Sequence, residues 1–186
     1  MIKNVVFDFG GVLVDWNPRH LYDKYFGDIE QSIWFLDNIC KYDWNIQMDG
    51  GKPFAQGVAE LVEKFPEHKE AIEIYHTRWT EMIGGLVEGT SDLILRLKKA
   101  GYKVYGLTNW SNETYPFIRD KYTIFSELEG IVVSGDEQLL KPEESIFIDD
   151  NVANVAGAMV VGMYAIQFQD AQQVEDQLKI QFELEF

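Results

Sequence analysis

An apolar run that ends on a carboxylate is the first place in this sequence where chemistry could be done. Val5-Val6-Phe7-Asp8 leads directly into Phe9-Gly10-Gly11-Val12-Leu13. Three further sites follow in order: Leu107-Thr108-Asn109, Lys141-Pro142 and Phe147-Ile148-Asp149-Asp150-Asn151. Together they offer a carboxylate, a hydroxyl with an amide, an ammonium and a carboxylate pair. A carboxylate can attack phosphorus and form an aspartyl-phosphate. Phosphoryl transfer then asks mainly for positioning and neutralisation of charge. Asp8 with Asp149-Asp150 suits a hard cation such as Mg²⁺, which takes a few carboxylates, waters and a substrate phosphate. Thr108, with nearby backbone amides, suits phosphoryl oxygens, and Lys141 would neutralise the charge that builds up. Gly10 and Gly11 let the loop backbone approach a phosphate closely.

Taken one at a time, each residue has an ordinary structural reading. An Asp after a strand is commonly a turn residue or a helix cap. Thr and Asn are common in turns, a lone lysine is usually surface, and Asp149-Asp150-Asn151 could simply cap a following helix. The joint reading therefore depends on the elements that would bring the four sites to one place.

Short apolar runs predict strands at 5–9, 103–107, 130–134 and 145–148, with a weaker one at 164–168. Most are continuous rather than alternating, as in a parallel sheet covered on both faces. Helical periodicity occupies 90–100, with Thr90 or Ser91 as cap and Gly101 as stop. It recurs at 152–161, between Asn151 and Gly162. Strand–helix alternation of this kind predicts an α/β Rossmann-like parallel sheet with helices on both faces. In such sheets ligands bind beyond the carboxyl ends of the strands, where Asp8, Thr108 and Asp149-Asp150 fall. Residues 16–86 instead read as helices throughout, with Pro18 and Pro53 at helix starts and Pro66 after a helix at 55–65. The expected organisation is a core of residues 1–15 and 87–186, with a small all-helical cap, 16–86, inserted after the first strand.

The chain has 186 residues, of which 46% are hydrophobic, enough for a packed core rather than disorder. Its net charge of −15 argues against nucleic acid and anionic membranes as partners, both of which are recognised through clustered Lys and Arg. No stretch of about 18 uncharged apolar residues suggests a membrane span, and the N-terminus lacks signal-peptide features. Cys40 is the single cysteine, so no intrachain disulfide can form, and its apolar neighbourhood suggests a buried structural role. These features suit the cytoplasm. His20, His68 and His76 have no metal-ligand spacing, and neither a dinucleotide-binding nor a P-loop glycine motif is present.

The four segments resemble the motifs of the haloacid dehalogenase-like hydrolase superfamily across nearly the whole chain. The likeness is greatest to its phosphatases with a glycine-bearing nucleophile loop, sugar-phosphate phosphatases among them. The resemblance implies Asp8 as nucleophile and Mg²⁺ ligand, Gly10 as a ligand through its backbone carbonyl, and Asp150 as third ligand supported by Asp149. It implies Thr108 and Asn109 as phosphate-binding and Lys141 as orienting Asp8 and the phosphoryl group. The implied partner is a small phosphorylated metabolite; oligomeric state does not follow.

Two features depart from that pattern. Most phosphatases of the superfamily carry a second Asp, the general acid–base, two residues after the nucleophile, where this chain has Gly10. General-acid help is worth roughly 10²–10⁴ in rate. Asp15, His20, a water or the substrate could supply it. Trp16 and Trp110 are further candidates for the pocket wall. Trp34, Trp44 and Trp79 read as packing residues. The second departure is spacing. Glu143-Glu144 alone separate Lys141-Pro142 from the strand at 145–148, whereas a parallel crossover needs about a dozen residues. A segment missing from the chain is the favoured explanation over a true deletion. Two alternatives to a phosphatase stay open: a weakly active or inactive binding or regulatory protein of the same fold, and a metal-independent haloacid dehalogenase. A phospho-acceptor receiver fits less well, because its acidic pair stands at the first strand.

Overall fold

The computed structural model describes residues 2–133, 145–160 and 162–186. Among these, strand β1 (Asn4–Phe7) lies at the centre of a five-stranded sheet. Beside it run β4 (Lys103–Thr108) and, at one edge, β5 (Gly130–Val133). On its other side are β6 (Ser145–Asp149) and β7 (Tyr164–Gln167). All four pairings are parallel. The sheet is covered on both faces. Val5, Phe7, Ile146 and Ile148 point into the main core with Leu93 and Leu97 of helix α6 (Thr90–Lys99). The alternating residues Val6 and Phe147 point the other way, onto Ala158 of α8 (Val152–Val160). This two-sided burial is why the strands read as unbroken apolar runs.

β1 stops at Phe7, two residues before its expected end. Phe9 turns down into the core, where it fits because Gly106 has no side chain: a Cβ there would strike the Phe9 ring. The expected cap of α6 is also different. Gly89, in the left-handed region at φ 79°, precedes the helix, and the Thr90 and Ser91 hydroxyls are buried with no hydrogen-bond partner among the described residues. Asn151 caps α8 as expected, its Oδ1 accepting from Ala153 N at 2.8 Å.

The insert holds α1 (Arg19–Phe26), α2 (Ile29–Asn38), α3 (Tyr42–Asp49), α4 (Phe54–Lys64) and α5 (Lys69–Thr77). Pro18 and Pro53 stand just before α1 and α4. Aromatic rings fill the space between these helices, with Tyr22, Phe35 and Tyr75 all buried. The insert is entered and left on strands that the sequence does not announce. β2 (Val14–Trp16) and β3 (Ile83–Leu86) pair antiparallel, with an irregularity between Asp15 and Trp16. Each stretch is only three or four residues long and is interrupted by Asp15 or by Gly84-Gly85, so neither reads as a strand alone; they pair where the two connections run side by side. Gly85, at φ 142°, takes a conformation that L side chains avoid.

The expected end of the third strand at Ser134, the end of the helix at 161, Lys141 and the short connection before Ser145 lie outside the described residues.

Candidate active site

The sheet register brings the first carboxylate to the others. Phe7 pairs with Gly106 on one side and Ile148 on the other. Asp8 and Asp149 follow directly, and Thr108 ends β4 two residues beyond Gly106, so the three stand at the ends of adjacent strands along one edge. Asp8 N donates to Ile148 O at 2.9 Å, which fixes the first turn of the loop. Asp8, Asp149 and Asp150 each place a carboxylate oxygen so that the three lie within 4.8 Å of one another.

Such crowding of like charges has a cost. Asp8 is 9% exposed. Burial and the neighbouring Asp149 push its pKa up to about 8, against hydrogen bonding from Phe9 N–H and the Thr108 hydroxyl, which pulls it down. Burial also raises Asp149, although Asn151 N donates to its Oδ1 at 2.7 Å and Asn154 Nδ2 to its Oδ2 at 2.9 Å. Partial burial raises Asp150 as well. Three oxygen donors raised together are a hard-cation site by donor type and spacing, so these residues fit Mg²⁺. Gly11 shapes that site. It sits at φ 72°, and a Cβ on it would land on the Asp150 carboxylate.

Thr108 is 2% exposed, and its hydroxyl has no hydrogen-bond partner of ordinary geometry among the described residues. With no bond of ordinary geometry to hold it, the hydroxyl is available to an incoming oxygen beside Asp8. Gly10, Asn109, Trp16 and Trp110 line the same cavity as Asp8, Asp149 and Asp150. A Cβ on Gly10 would make ordinary contact with Trp110, so the glycine at that position is not forced by space. The Trp16 and Trp110 rings meet edge to face at 6.4 Å, and both indole N–H groups are buried without partners among the described residues.

Asp15 and His20 do not line the cavity. They pair with each other, His20 Nε2 to Asp15 Oδ2 at 2.9 Å, above Gly84, where a Cβ would strike both. Asp15 is on β2 and His20 in the first turn of α1, so the pair sits beside the β2–β3 ribbon. Trp79 packs against Trp110 at 5.7 Å and also lines the cavity, so it does more than the packing expected of it. Cys40 is buried, as expected, and burial pushes its thiol pKa up.

The insert also contributes residues that sequence reasoning passed over. Tyr42, Asn45 and Asp49 of α3 line the cavity from above. Burial raises Asp49 to about 7, while the Ser111 backbone N–H draws it down. Asn45 Nδ2 donates to Asp49 Oδ2 at 2.8 Å, and Asn45 Oδ1 accepts from the Tyr75 hydroxyl at 3.0 Å. The spacing 42, 45, 49 is one helical face, which is the signal that was present.

No family model matches the chain. A sesquiterpene phosphatase of Aspergillus oryzae is 26% identical over 186 residues, covering 91% of each chain. Solved structures resemble it at lower identity. A predicted HAD-like hydrolase from Porphyromonas gingivalis matches at TM-score 0.68 and 19% identity, covering 100% of both chains. A HAD family enzyme from Bacteroides thetaiotaomicron, in complex with magnesium and inorganic phosphate, matches at TM-score 0.63 and 20% identity over 94% of this chain and 99% of that one. A HAD-superfamily hydrolase from Geobacter sulfurreducens matches at TM-score 0.61 and 15% identity, over 95% and 96%. At these identities what is shared is architecture: the chain has the fold of the haloacid dehalogenase-like hydrolase superfamily.

Proposed function

We propose that this protein is a Mg²⁺-dependent phosphatase of small phosphorylated metabolites, working through an aspartyl-phosphate on Asp8. The observation that carries the reading is Asp8 facing Asp149 and Asp150 within 4.8 Å, beside the buried Thr108 hydroxyl. In this reading Asp8, the Gly10 carbonyl and Asp150 hold the metal, with Asp149 fixing the site through its bonds to Asn151 and Asn154. Mg²⁺ when bound would supply positive charge at the phosphoryl oxygens and keep the Asp8 carboxylate ionised. Asp8 attacks phosphorus in line with the leaving oxygen. Thr108 and Asn109 hold the phosphoryl oxygens, and Lys141 completes their charge neutralisation. Water then attacks the acyl phosphate and regenerates Asp8.

Residues 16–86 act as the cap and residues 1–15 with 87–186 as the catalytic core. The aromatic wall of Trp16, Trp79 and Trp110 suits either the apolar face of a sugar or an isoprenoid chain. The sesquiterpene phosphatase relative favours the second. Among the described residues no helix is long and apolar enough to cross a membrane, and a single buried thiol accords with activity in the cytoplasm.

The test is phosphate release from a panel holding sugar phosphates, isoprenyl phosphates and p-nitrophenyl phosphate, with and without Mg²⁺. Release is expected only with Mg²⁺, and Asp8→Asn is expected to abolish it. Phosphate binding without turnover across the panel would favour the non-catalytic reading that Gly10 keeps open. Halide release from a haloacid in the presence of chelator would favour a dehalogenase.

A further inference from the structure

The phosphatase reading leaves one role vacant, because Gly10 cannot donate a proton to the departing oxygen. The geometry points to Asp49, from the cap, as the general acid and base of the reaction. This assignment rests on the phosphatase reading above.

Asp49 is the last residue of α3 and lines the cavity that Asp8 lines from below. Its carboxyl is held from two sides. Asn45 Nδ2 donates to Oδ2 at 2.8 Å, with the Asn45 amide itself oriented by the buried Tyr75 hydroxyl. The Ser111 backbone N–H faces it from the core loop that begins at Thr108. A side chain held by both the insert helix and the loop after β4 faces the same cavity as Asp8. The titratable groups around it do not compete for the role. Tyr42 on the same helix and Tyr75 on α5 both feel its charge, and both are pushed above the ordinary tyrosine value by burial. Tyr42 also feels Asp8, Asp149 and Asp150, and all of these groups line the same cavity as Asp49. Burial raises Asp49 to about 7, so a large fraction carries a proton near neutral pH. A group so poised can both give and take a proton.

An Asp8 carboxylate oxygen bonds to phosphorus, the ester P–O bond breaks, and the leaving oxygen takes the Asp49 proton and departs as the alcohol. Water then attacks phosphorus and gives its proton to the Asp49 carboxylate. The bond from phosphorus to Asp8 breaks, which restores both carboxyl groups and releases inorganic phosphate.

Leaving groups test this directly, since an alkoxide needs the proton and p-nitrophenolate does not. Asp49→Asn keeps an oxygen to accept from Asn45 and removes the acid. Its kcat/KM, which reports the steps through phosphoryl transfer, should fall roughly 10²–10⁴-fold for the best alkyl phosphate of the panel. For p-nitrophenyl phosphate it should stay within a few fold, which also shows that the variant is folded. The wild-type kcat/KM for the alkyl ester should decline above about pH 7, and the variant should lose that limb. Equal loss on both esters, or an unchanged alkyl rate, overturns the assignment while leaving the phosphatase reading standing. No Mg²⁺-dependent release by the wild type, or full activity in Asp8→Asn, overturns the phosphatase reading itself and this assignment with it.

Discussion

Gly11 shows how far one missing side chain can shape the site. It holds φ 72°, and a Cβ would press on the carboxylate of Asp150. Gly11→Ala should therefore lose roughly 1–2 kcal/mol from the left-handed conformation alone. It should also weaken Mg²⁺ by displacing Asp150. Denaturant unfolding and magnesium titration measure the two effects; wild-type values for both would contradict the close packing. The same scale shows what a sequence can and cannot disclose. Asp8, Thr108 and Asp149-Asp150 were legible because each follows an apolar run, and parallel strands deliver their ends to one edge. Asp49 was hidden. It precedes Gly50-Gly51 and looks like an ordinary helix end. What marks it is the approach of Ser111, a neighbour created only by folding. Asp15 and His20 were plausible by proximity in sequence, yet their mutual pairing over Gly84 keeps them at the ribbon.

At the scale of elements, the insert is fastened to the core by more than the β2–β3 ribbon. α4 begins after Pro53 with no side-chain cap of its own. The acceptor comes from the core: Glu113 Oε1 takes the Phe54 N–H at 2.8 Å, and Glu113 Oε2 lies 3.5 Å from His76 Nε2. Phe54 and His76 stack at 4.6 Å, so a single carboxylate ties α4 and α5 to the loop after β4. Glu113→Ala should cost about 1 kcal/mol, as for loss of an N-cap. The Phe54 amide should exchange with solvent faster, while amides of β1 keep their protection. Uniform exchange across both would mean the contact does not act locally. This fastening could not be read from the chain, because a helix start without its own cap gives no hint of where its partner lies. The strands of the sheet were readable from their apolar runs, whereas β2 and β3 exist only because the two connections lie together.

The whole molecule is acidic, with a net charge of −15, yet its proposed substrate is an anion. The conflict is resolved locally by a cation seated among the three carboxylates. Without the metal, the folded protein pays for their proximity. Burial and Asp149 push Asp8 up to about 8 in the folded, metal-free protein, against an ordinary carboxylate value of 3.8 when unfolded. Between those values the folded state holds a proton that the unfolded chain has released, so metal-free stability should fall as pH rises. Mg²⁺ competes with that proton, and its effect should have the opposite dependence. The magnesium-induced rise in unfolding temperature should be larger at pH 8 than at pH 5. At a hundredfold excess of magnesium over its Kd the stabilisation should reach about 2.7 kcal/mol. Scanning calorimetry at both pH values and one fixed magnesium concentration checks this; an equal rise at both would mean that magnesium binds elsewhere. The central claim is that Asp8 takes the phosphoryl group, and it can be observed directly. Protein mixed with Mg²⁺ and a turned-over phosphate ester, quenched in acid and digested at low pH, should carry one phosphoryl group on the peptide containing Asp8. A labelled residue elsewhere, or turnover with no phosphoryl-enzyme at any quench time, would contradict the account.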